Sequence, residues 1–246
     1  MSSNPMSYAQ QMLADINVDN HINLSEKFEL SCAAFAERVA FSCLGQDMTF
    51  AQLETLSRAF SVYLLEDCGL KVGDRVAVQL PNINQYPVVA WGVLRAGLIL
   101  VNTNPLYTAR ELKHQFNDSG ACLLVVLSDL LPSTAAVIPE TDIKRVVVTH
   151  IGDMCVAQSI PDLGLENVDP LAEILLKRAG CPITPVHTTM DDIAVLQYTG
   201  GTTGVAKGAV LTQGNIFASA MQSSAAFVGD SDEREIIIAP MPLYHI

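Results

Sequence analysis

One segment of the chain combines glycines, hydroxyl side chains and a single cation at a spacing that suits phosphate binding. It reads Tyr198-Thr199-Gly200-Gly201-Thr202-Thr203-Gly204-Val205-Ala206-Lys207-Gly208. Four of the last nine residues are glycines, which allow several backbone N–H groups to turn towards one anion. The threonines add hydroxyl donors, and Lys207 is the only Lys or Arg between Arg178 and Arg234. The segment therefore predicts a cradle for a polyphosphate, in which the Lys207 ammonium offsets developing negative charge.

Two other phosphate-binding loops and a plain surface turn are the alternatives. The mononucleotide loop G-x-x-x-x-G-K-[ST] does not match, because Lys207 is followed by Gly208 and separated from Gly204 by two residues. The dinucleotide pattern G-x-G-x-x-G is also missing from the sequence. A flexible turn would explain the glycines, but it would not explain the threonines, the isolated lysine or the apolar strand that leads into the segment.

The composition excludes several classes of protein. The 246 residues include 26 Asp and Glu against 14 Lys and Arg, and a net charge of −12 argues against nucleic-acid binding. Half of the residues are apolar and 16% are charged, which argues against disorder. The longest central stretch without charge, Val76 to Leu94, contains Pro81 and Pro87, so it is interpreted as a strand, a turn and a helix and not as a bilayer span.

Cysteine usage and the N-terminus indicate the compartment. The six cysteines include no C-x-x-C pair and have no metal-ligand spacing with the five histidines, so we predict no metal site within this chain. Such scattered cysteines are typical of small buried side chains in a reducing compartment. Residues 1–20 lack a basic head followed by an apolar run, so we expect no signal peptide and a cytoplasmic protein.

Capping and periodicity predict the elements that position the loop. Capping-box pairs predict three helix starts, at Asn23 with Glu26, Thr49 with Gln52, and Thr108 with Glu111. Apolar strands are predicted at about 76–80, 98–102, 123–127 and 145–149, with helices around 84–95, 109–117 and 130–138 between them. This alternation predicts an α/β fold with largely parallel sheets covered by helices on both faces.

The remaining segments are assigned around this repeat. Residues 1–21 are interpreted as an N-terminal arm, and a hairpin is predicted from strands at 39–44 and 48–50 with its turn at 45–47. Later in the chain we predict a helix at 170–178, a buried strand at 193–198, a helix over about 213–227 and a last strand at 236–239. Residues 51–190 are assigned to a first α/β subdomain, and 22–50 together with 191–246 to a second sheet.

The segment from Gln197 to Ala209 resembles the phosphate-loop signature of the adenylate-forming enzymes. Its Gly-Gly and Val-Ala variant resembles that of the bacterial long-chain fatty acid–CoA ligases, or acyl-CoA synthetases. Further stretches that agree with this family are Gly73–Ala77, Gln79–Asn82, Arg95–Gly97, Asn102–Thr108 and Pro242–His245. The resemblance implies that residues 22–246 form the N-terminal portion of the adenylation, or AMP-binding, domain. The C-terminal half and the mobile lid domain would lie outside this chain, so the chain alone is expected to be inactive.

The resemblance also implies a reaction and its site. A fatty acid carboxylate attacks the α-phosphorus of Mg²⁺-ATP, and the thiol of coenzyme A then displaces AMP from the acyl-adenylate. Lys207 and His245 are the implied catalytic residues, with Lys207 on the phosphates and His245 beside the acyl carboxylate; a plain turn histidine is the alternative for His245. The implied cofactor-binding set is Tyr198, Thr199, Gly200, Gly201, Thr202, Thr203, Gly204, Lys207 and Gly208. The other histidines, His21, His114, His150 and His187, are predicted to be structural.

Other functions remain open. The alternatives are a ligase of the same superfamily for an aryl, short-chain or amino acid, and a non-catalytic nucleotide-binding module. The expected partners are the fatty acid, ATP with Mg²⁺, and coenzyme A, without nucleic acid. Self-association through an exposed apolar face is expected for the chain alone. A weak peripheral contact at the inner face of the membrane stays open, although the 150–190 segment is shorter and more acidic than in many relatives.

Overall fold

The computed structural model describes residues 23–152, 154, 159–199, 206–226 and 236–245. The predicted N-terminal arm, residues 1–21, lies outside these ranges, as do residues 200–205 of the glycine-rich loop. Within the described ranges the strands form one seven-stranded sheet and one separate two-stranded hairpin.

The helices and strands have the following bounds in chain order. The helices are α1 (Leu24–Ala34), α2 (Phe50–Val62), α3 (Gln85–Arg95), α4 (Ala109–Ser119), α5 (Leu131–Ala135), α6 (Leu171–Arg178) and α7 (Gln213–Ala226). The strands are β1 (Val39–Cys43), β2 (Gln46–Thr49), β3 (Arg75–Gln79), β4 (Ile99–Asn102), β5 (Ala121–Leu127), β6 (Arg145–Thr149), β7 (Val168–Pro170), β8 (Ile193–Thr199) and β9 (Lys207–Thr212). A π-helical turn at Tyr63–Asp67 extends α2, and 3-10 turns lie at Ser128–Leu130 and Ile138–Glu140.

The large sheet is parallel except at one edge. Its strand order is β7-β6-β5-β3-β4-β8-β9, and of the described strand pairs in this sheet only β8–β9 is antiparallel. Val76 and Val78 of β3 pack into one hydrophobic cluster together with residues of α1, α2, α3 and α6. Ala77 packs into a second cluster with residues of α4 and α5 on the opposite face. The predicted α/β class, with a largely parallel sheet covered on both faces, is confirmed.

The three predicted capping boxes are all present, and they begin α1, α2 and α4. At the start of α4 the Glu111 carboxylate accepts a hydrogen bond from the Thr108 N–H at 2.7 Å. The Thr108 hydroxyl oxygen accepts in return from the Glu111 N–H at 3.4 Å. Each box satisfies backbone donors that the first helical turn would leave unpaired.

The segment 191–246 was predicted to contribute to a second sheet, and its described strands differ from this prediction. Its described strands, β8 and β9, extend the main sheet, because β8 pairs in parallel with β4. Ala194 and Val195 of β8 are buried in the same hydrophobic cluster as Val76 and Val78 of β3, so β8 shares the core of the main sheet. The separate sheet is the β1–β2 hairpin alone, within the part of the chain that the structure describes.

Two local predictions also differ from the structure, and two strands were missed. The β1–β2 turn lies at Leu44 and Gly45 and not at 45–47, because both residues have the positive φ, 52° and 76°, that a two-residue hairpin turn requires. Residues 236–239 are not a strand, since the described chain offers them no neighbouring strand and Ile236, Ile237 and Ile238 are exposed. Strands β7 and β9 were not predicted from the sequence.

A buried arginine joins the helices on one face of the sheet. The side chain of Arg95, at the end of α3, is 2% exposed. It donates to the carboxylates of Glu29 in α1 and Glu54 in α2, at 2.8 and 3.0 Å, and to the Glu54 carbonyl at 3.0 Å. A buried charge is tolerated only when it is paired and hydrogen-bonded. The hydrogen bonds of Arg95 therefore fix the positions of α1 and α2 relative to α3. The arginine of the Arg95-Ala96-Gly97 stretch therefore has a structural explanation in this chain.

Replacing this arginine is expected to destabilise the fold strongly. In Arg95→Ala the Glu54 carbonyl and the Ser57 hydroxyl lose a buried donor, so we expect the free energy of unfolding to fall by about 3 kcal/mol or more. Urea denaturation followed by circular dichroism measures this change. The control is Lys113→Ala, which removes an exposed ion pair with Glu140 and should cost less than about 1 kcal/mol. Equal losses in the two variants would contradict the role given to Arg95.

Candidate functional site

The glycine-rich loop closes a hairpin at the carboxyl end of β8. Thr199, the last residue of β8, is paired with Lys207, the first residue of β9, and Tyr198 is paired with Gly208. Because β8 runs parallel to β4, the loop leaves the sheet at the edge where β3 to β6 also end. In open α/β sheets this is the edge at which ligands bind.

The structure thus brings together the predicted site residues on both sides of the loop, namely Tyr198, Thr199, Lys207 and Gly208. The five others in the set lie outside the described residues; they are Gly200, Gly201, Thr202, Thr203 and Gly204. The described geometry therefore defines the two ends of the loop, and through them the place on the sheet where the loop stands.

The side chain of Lys207 is exposed at this position. Among the described residues no hydrogen bond or ion pair uses its ammonium group. The eight ion pairs found in that part of the structure all involve arginines or Lys113. An ammonium that no neighbouring carboxylate neutralises keeps its full attraction for an anionic ligand.

Tyr198 is buried, at 3% exposure, and its side chain faces α4. Its hydroxyl donates to a carboxylate oxygen of Asp118 at 2.6 Å. Burial, and then the hydrogen bond to Asp118, raises the pKa of the Tyr198 phenol above its usual value. The phenol is therefore a neutral donor at physiological pH, and its hydrogen bond already belongs to Asp118. The side chain of Tyr198 thus supports the hairpin, while its backbone carries the chain into the loop.

The ring of Tyr198 lies directly against the backbone of Gly208 on the opposite strand. A Cβ atom placed on Gly208 would be 3.0 Å from Cε2 and 3.1 Å from Cζ of this ring. Contacts this short require the ring to move, although Asp118 holds its hydroxyl. The glycine at position 208 is thus explained by close packing against Tyr198, in addition to any approach of a ligand.

His114 contacts the hairpin, although the sequence predicts only a structural role for it. Its Nε2 atom is 2.8 Å from the carbonyl oxygen of Ala206, the residue before Lys207. Its ring also meets the Tyr198 ring edge-on, with 6.5 Å between centroids. The partner lies 92 residues away in the chain and is a backbone carbonyl, so no local motif could reveal it. The one signal in the sequence is the spacing of His114 and Asp118, which places both on one face of α4.

Buried polar side chains connect β4 and β8 close to the loop. The Tyr86 hydroxyl donates to the Asn102 side-chain oxygen at 2.8 Å, and the Asn102 amide donates to the Gln197 side-chain oxygen at 3.0 Å. Gln115 of α4 donates to the Asn102 carbonyl at 2.8 Å. Buried groups of this kind are costly to leave unpaired, so the network favours a single register of β8 on β4 and a single position of α4.

The segment that carries His245 lies at the same sheet edge. Asn82, just after β3, donates to the carbonyls of Ala239 and Met241 at 3.1 and 2.8 Å and accepts from the Leu243 N–H at 2.7 Å. The His245 N–H closes a turn by donating to the Pro242 carbonyl at 2.9 Å, and its imidazole is exposed. The turn accounts for the backbone of His245, and a catalytic role for its imidazole remains a prediction.

Neither metal ligands nor a membrane span is found in the described ranges. No group of His, Cys, Asp or Glu side chains there could hold a metal ion. No helix in the same ranges is both long enough and apolar enough to cross a bilayer. The five cysteines that the structure describes, Cys32, Cys43, Cys68, Cys122 and Cys181, are free thiols.

The Gly208–Tyr198 contact leads to a stability prediction. Gly208→Ala forces the Tyr198 ring away from β9 and strains its bond to Asp118, so the free energy of unfolding should fall by about 1–3 kcal/mol. The matched control is Ala209→Val, at the next and exposed position of β9, which should change this free energy by less than about 0.5 kcal/mol. Thermal or urea unfolding measures both variants. A neutral or stabilising Gly208→Ala would show that the ring can move without cost.

Solved structures share this fold. A long-chain-fatty-acid-CoA ligase from Archaeoglobus fulgidus matches with a TM-score of 0.73 and 26% identity, over 91% of this chain and 43% of that one. The anthranilate CoA ligase AuaEII, solved with anthranoyl-AMP, matches with a TM-score of 0.70 over 82% of this chain and 36% of its own. At 20% identity this second match shows the fold alone.

Curated relatives are more similar in sequence. The chain is 40% identical to the long-chain-fatty-acid–CoA ligase of Escherichia coli O6:H1, over 97% of its own length and 45% of the relative. It is 32% identical to the long-chain-fatty-acid–CoA ligase of Bacillus subtilis, over 88% of its own length and 41% of the relative. The chain thus spans less than half the length of the curated relatives it matches. The family model described as AMP-binding enzyme matches residues 28–246. The resemblance carried by the loop is therefore confirmed, and the chain belongs to the AMP-binding enzyme family.

Proposed function

We propose that this chain supplies the ATP-phosphate site of a long-chain fatty acid–CoA ligase of the AMP-forming kind. The observation that carries the proposal is the hairpin at the carboxyl edge of the sheet, with the Lys207 ammonium free of described acidic partners. Identities of 38–40% to long-chain-fatty-acid–CoA ligases over nearly the whole chain support the choice of substrate class. Because those relatives are more than twice as long, the complete reaction is proposed for the whole protein, with residues outside this chain taking part.

The proposed reaction has two steps. In the first, a fatty acid carboxylate oxygen bonds to the α-phosphorus of Mg²⁺-ATP, and the bond from this phosphorus to the bridging oxygen breaks. Pyrophosphate leaves and acyl-adenylate remains. In the second, the sulfur of coenzyme A bonds to the acyl carbon, AMP leaves with the bonding electrons, and the thiol proton passes to a base. An anionic nucleophile must approach an anionic phosphate in the first step, so charge on the β- and γ-phosphates has to be offset.

The residues of the loop fit this demand. Lys207 would provide the cation, and the backbone N–H groups of Gly200, Gly201 and Gly204 would point to the phosphate oxygens. The hydroxyls of Thr199, Thr202 and Thr203 would donate in addition. Magnesium would arrive with ATP as part of the substrate, and we assign it no ligand in this chain. His245 would lie beside the acyl carboxylate, on the same sheet edge as the loop.

The proposal extends to surroundings and partners. The scattered cysteines of the sequence favour a reducing compartment, and we place the protein in the cytoplasm without a nucleic-acid partner. Ile236, Ile237 and Ile238 are 79%, 74% and 85% exposed and would promote self-association of the 246 residues when these are expressed alone. Contact with the inner face of the membrane would be weak and peripheral.

The direct test is loss of the lysine. In the product of the full reading frame that encodes this chain, Lys207→Ala should lower kcat/KM for ATP-dependent formation of oleoyl-CoA by about 100-fold or more, because one charged donor to the transition state is lost. The control is Lys177→Ala, an exposed lysine of α6, which should leave this rate unchanged. Activity in Lys207→Ala within twofold of the unaltered enzyme would contradict the proposal.

A panel of acids tests the substrate class. Pyrophosphate release should be fastest with long-chain fatty acids and slow with benzoate, acetate and amino acids. A preference for an aromatic, short-chain or amino acid would show that the proposed substrate class is wrong, while the proposed adenylation reaction would stand. Binding of ATP without pyrophosphate release from any acid in the panel would favour the non-catalytic alternative.

A further inference from the structure

Helix α4 holds both ends of the glycine-rich loop through two side chains one helical turn apart. The Asp118 carboxylate accepts from the Tyr198 hydroxyl at 2.6 Å, on the strand that enters the loop. His114 Nε2 lies 2.8 Å from the Ala206 carbonyl, where the chain leaves the loop. Since a carbonyl oxygen can only accept, Nε2 carries the proton in this contact. One face of one helix thus bonds to the residues on either side of the loop.

The helix that makes these contacts is itself fixed to the sheet. Arg75, the first residue of β3, donates to the carbonyls of Ser119 and Gly120 at 3.0 and 2.7 Å, which satisfies acceptors at the C-terminal end of α4. In the middle of the helix, Gln115 donates to the Asn102 carbonyl of β4. The capping box of Thr108 and Glu111 fixes the first turn. Helix α4 can therefore act as a rigid support for the loop.

The two contacts also fix the position of the Lys207 backbone. Lys207 follows Ala206 directly and is paired with Thr199, which follows Tyr198 directly. The Tyr198 ring packs directly against the Gly208 backbone and leaves no room for a Cβ atom there, as the short distances to an added Cβ show. A change in either contact with α4 would therefore move one end of the loop relative to the other, and the ammonium of Lys207 with it.

We propose that His114 and Asp118 are positioning residues that set the distance between the two ends of the loop and so orient Lys207 towards a bound polyphosphate. Neither residue needs to touch the ligand. The inference rests on the proposed function for the identity of that ligand, whereas the mechanical part concerns the hairpin alone and can be tested without nucleotide.

The mechanical part is tested with trypsin. Lys207 is the only tryptic site between Arg178 and Arg234, so cleavage after it reports opening of the hairpin. In the full-length protein without nucleotide, His114→Ala should raise the ratio of cleavage after Lys207 to cleavage after Lys71 about fivefold, the equivalent of one neutral hydrogen bond. Lys71 lies in the exposed loop before β3, so global unfolding would raise cleavage at both sites and leave the ratio near its original value.

Conservative variants distinguish the hydrogen bonds from simple loss of volume. His114→Gln retains an N–H donor at a similar reach and should restore the ratio to within about twofold, and Asp118→Asn should restore what Asp118→Ala loses, since it still accepts from Tyr198. The control is Lys113→Ala, which changes the residue next to His114 in α4 and should leave the cleavage ratio unchanged. An unchanged ratio in both His114→Ala and Asp118→Ala, or no rescue by Gln and Asn, would overturn the inference.

Catalysis provides the second readout. In the same protein, His114→Ala should raise KM for ATP about fivefold or more and leave KM for the fatty acid within twofold, with His114→Gln close to the unaltered enzyme. Equal changes in both KM values would contradict a role in orienting Lys207. Protection of Lys207 from trypsin by Mg²⁺-ATP tests the proposed function separately. If His114→Ala changes the cleavage ratio but ATP never protects, the positioning role stands and the ATP-phosphate site is wrong.

Discussion

Leu100, Val101 and Asn102 of β4 pair in parallel with Val195, Leu196 and Gln197 of β8, and the place of the loop on the sheet follows from this register. Side chains alternate between the two faces of a strand, so a slip of one residue would turn Tyr198 away from α4. The hydrogen bond between the Asn102 and Gln197 side chains opposes such a slip, because it would leave buried amides unpaired. Since α4 follows β4 in the chain, the register also brings the helix next to the hairpin.

Electrostatics at this sheet edge explain how an acidic protein can offer a site for a polyphosphate. The chain carries a net charge of −12, so binding cannot depend on its overall field. The Asp118 carboxylate, which contacts the hairpin, accepts from the Tyr198 hydroxyl, and the raised pKa of that phenol is consistent with a protonated donor over the physiological range. The Lys207 ammonium has no such acidic partner within the described residues. A local excess of donors and one free cation is thus compatible with a negative surface elsewhere.

Local signals in the sequence predicted much of the fold. The capping boxes and the buried apolar runs indicated α1, α2, α4 and the parallel strands β3, β4, β5, β6 and β8, because these depend on residues close together in the chain. Features that depend on distant partners were missed or wrong. Strand β9, with Gly208 and exposed Val210, forms only because β8 pairs with it, and the run Ile236–Ile238 lacks a described strand to pair with. The loop residues are consecutive in the chain, so the sequence could single them out as candidates. The contact of His114 with Ala206 joins residues 92 positions apart and could not be predicted.

A structure of the full-length protein with a slowly hydrolysed ATP analogue tests the central claim most directly. The account predicts the Lys207 ammonium within about 3 Å of a β- or γ-phosphate oxygen, with the loop between β8 and β9 wrapped around these phosphates. The contacts of α4 with Tyr198 and Ala206 should be unchanged in that complex. Triphosphate bound at another place on the sheet edge, with the Lys207 side chain directed into solvent, would contradict the account.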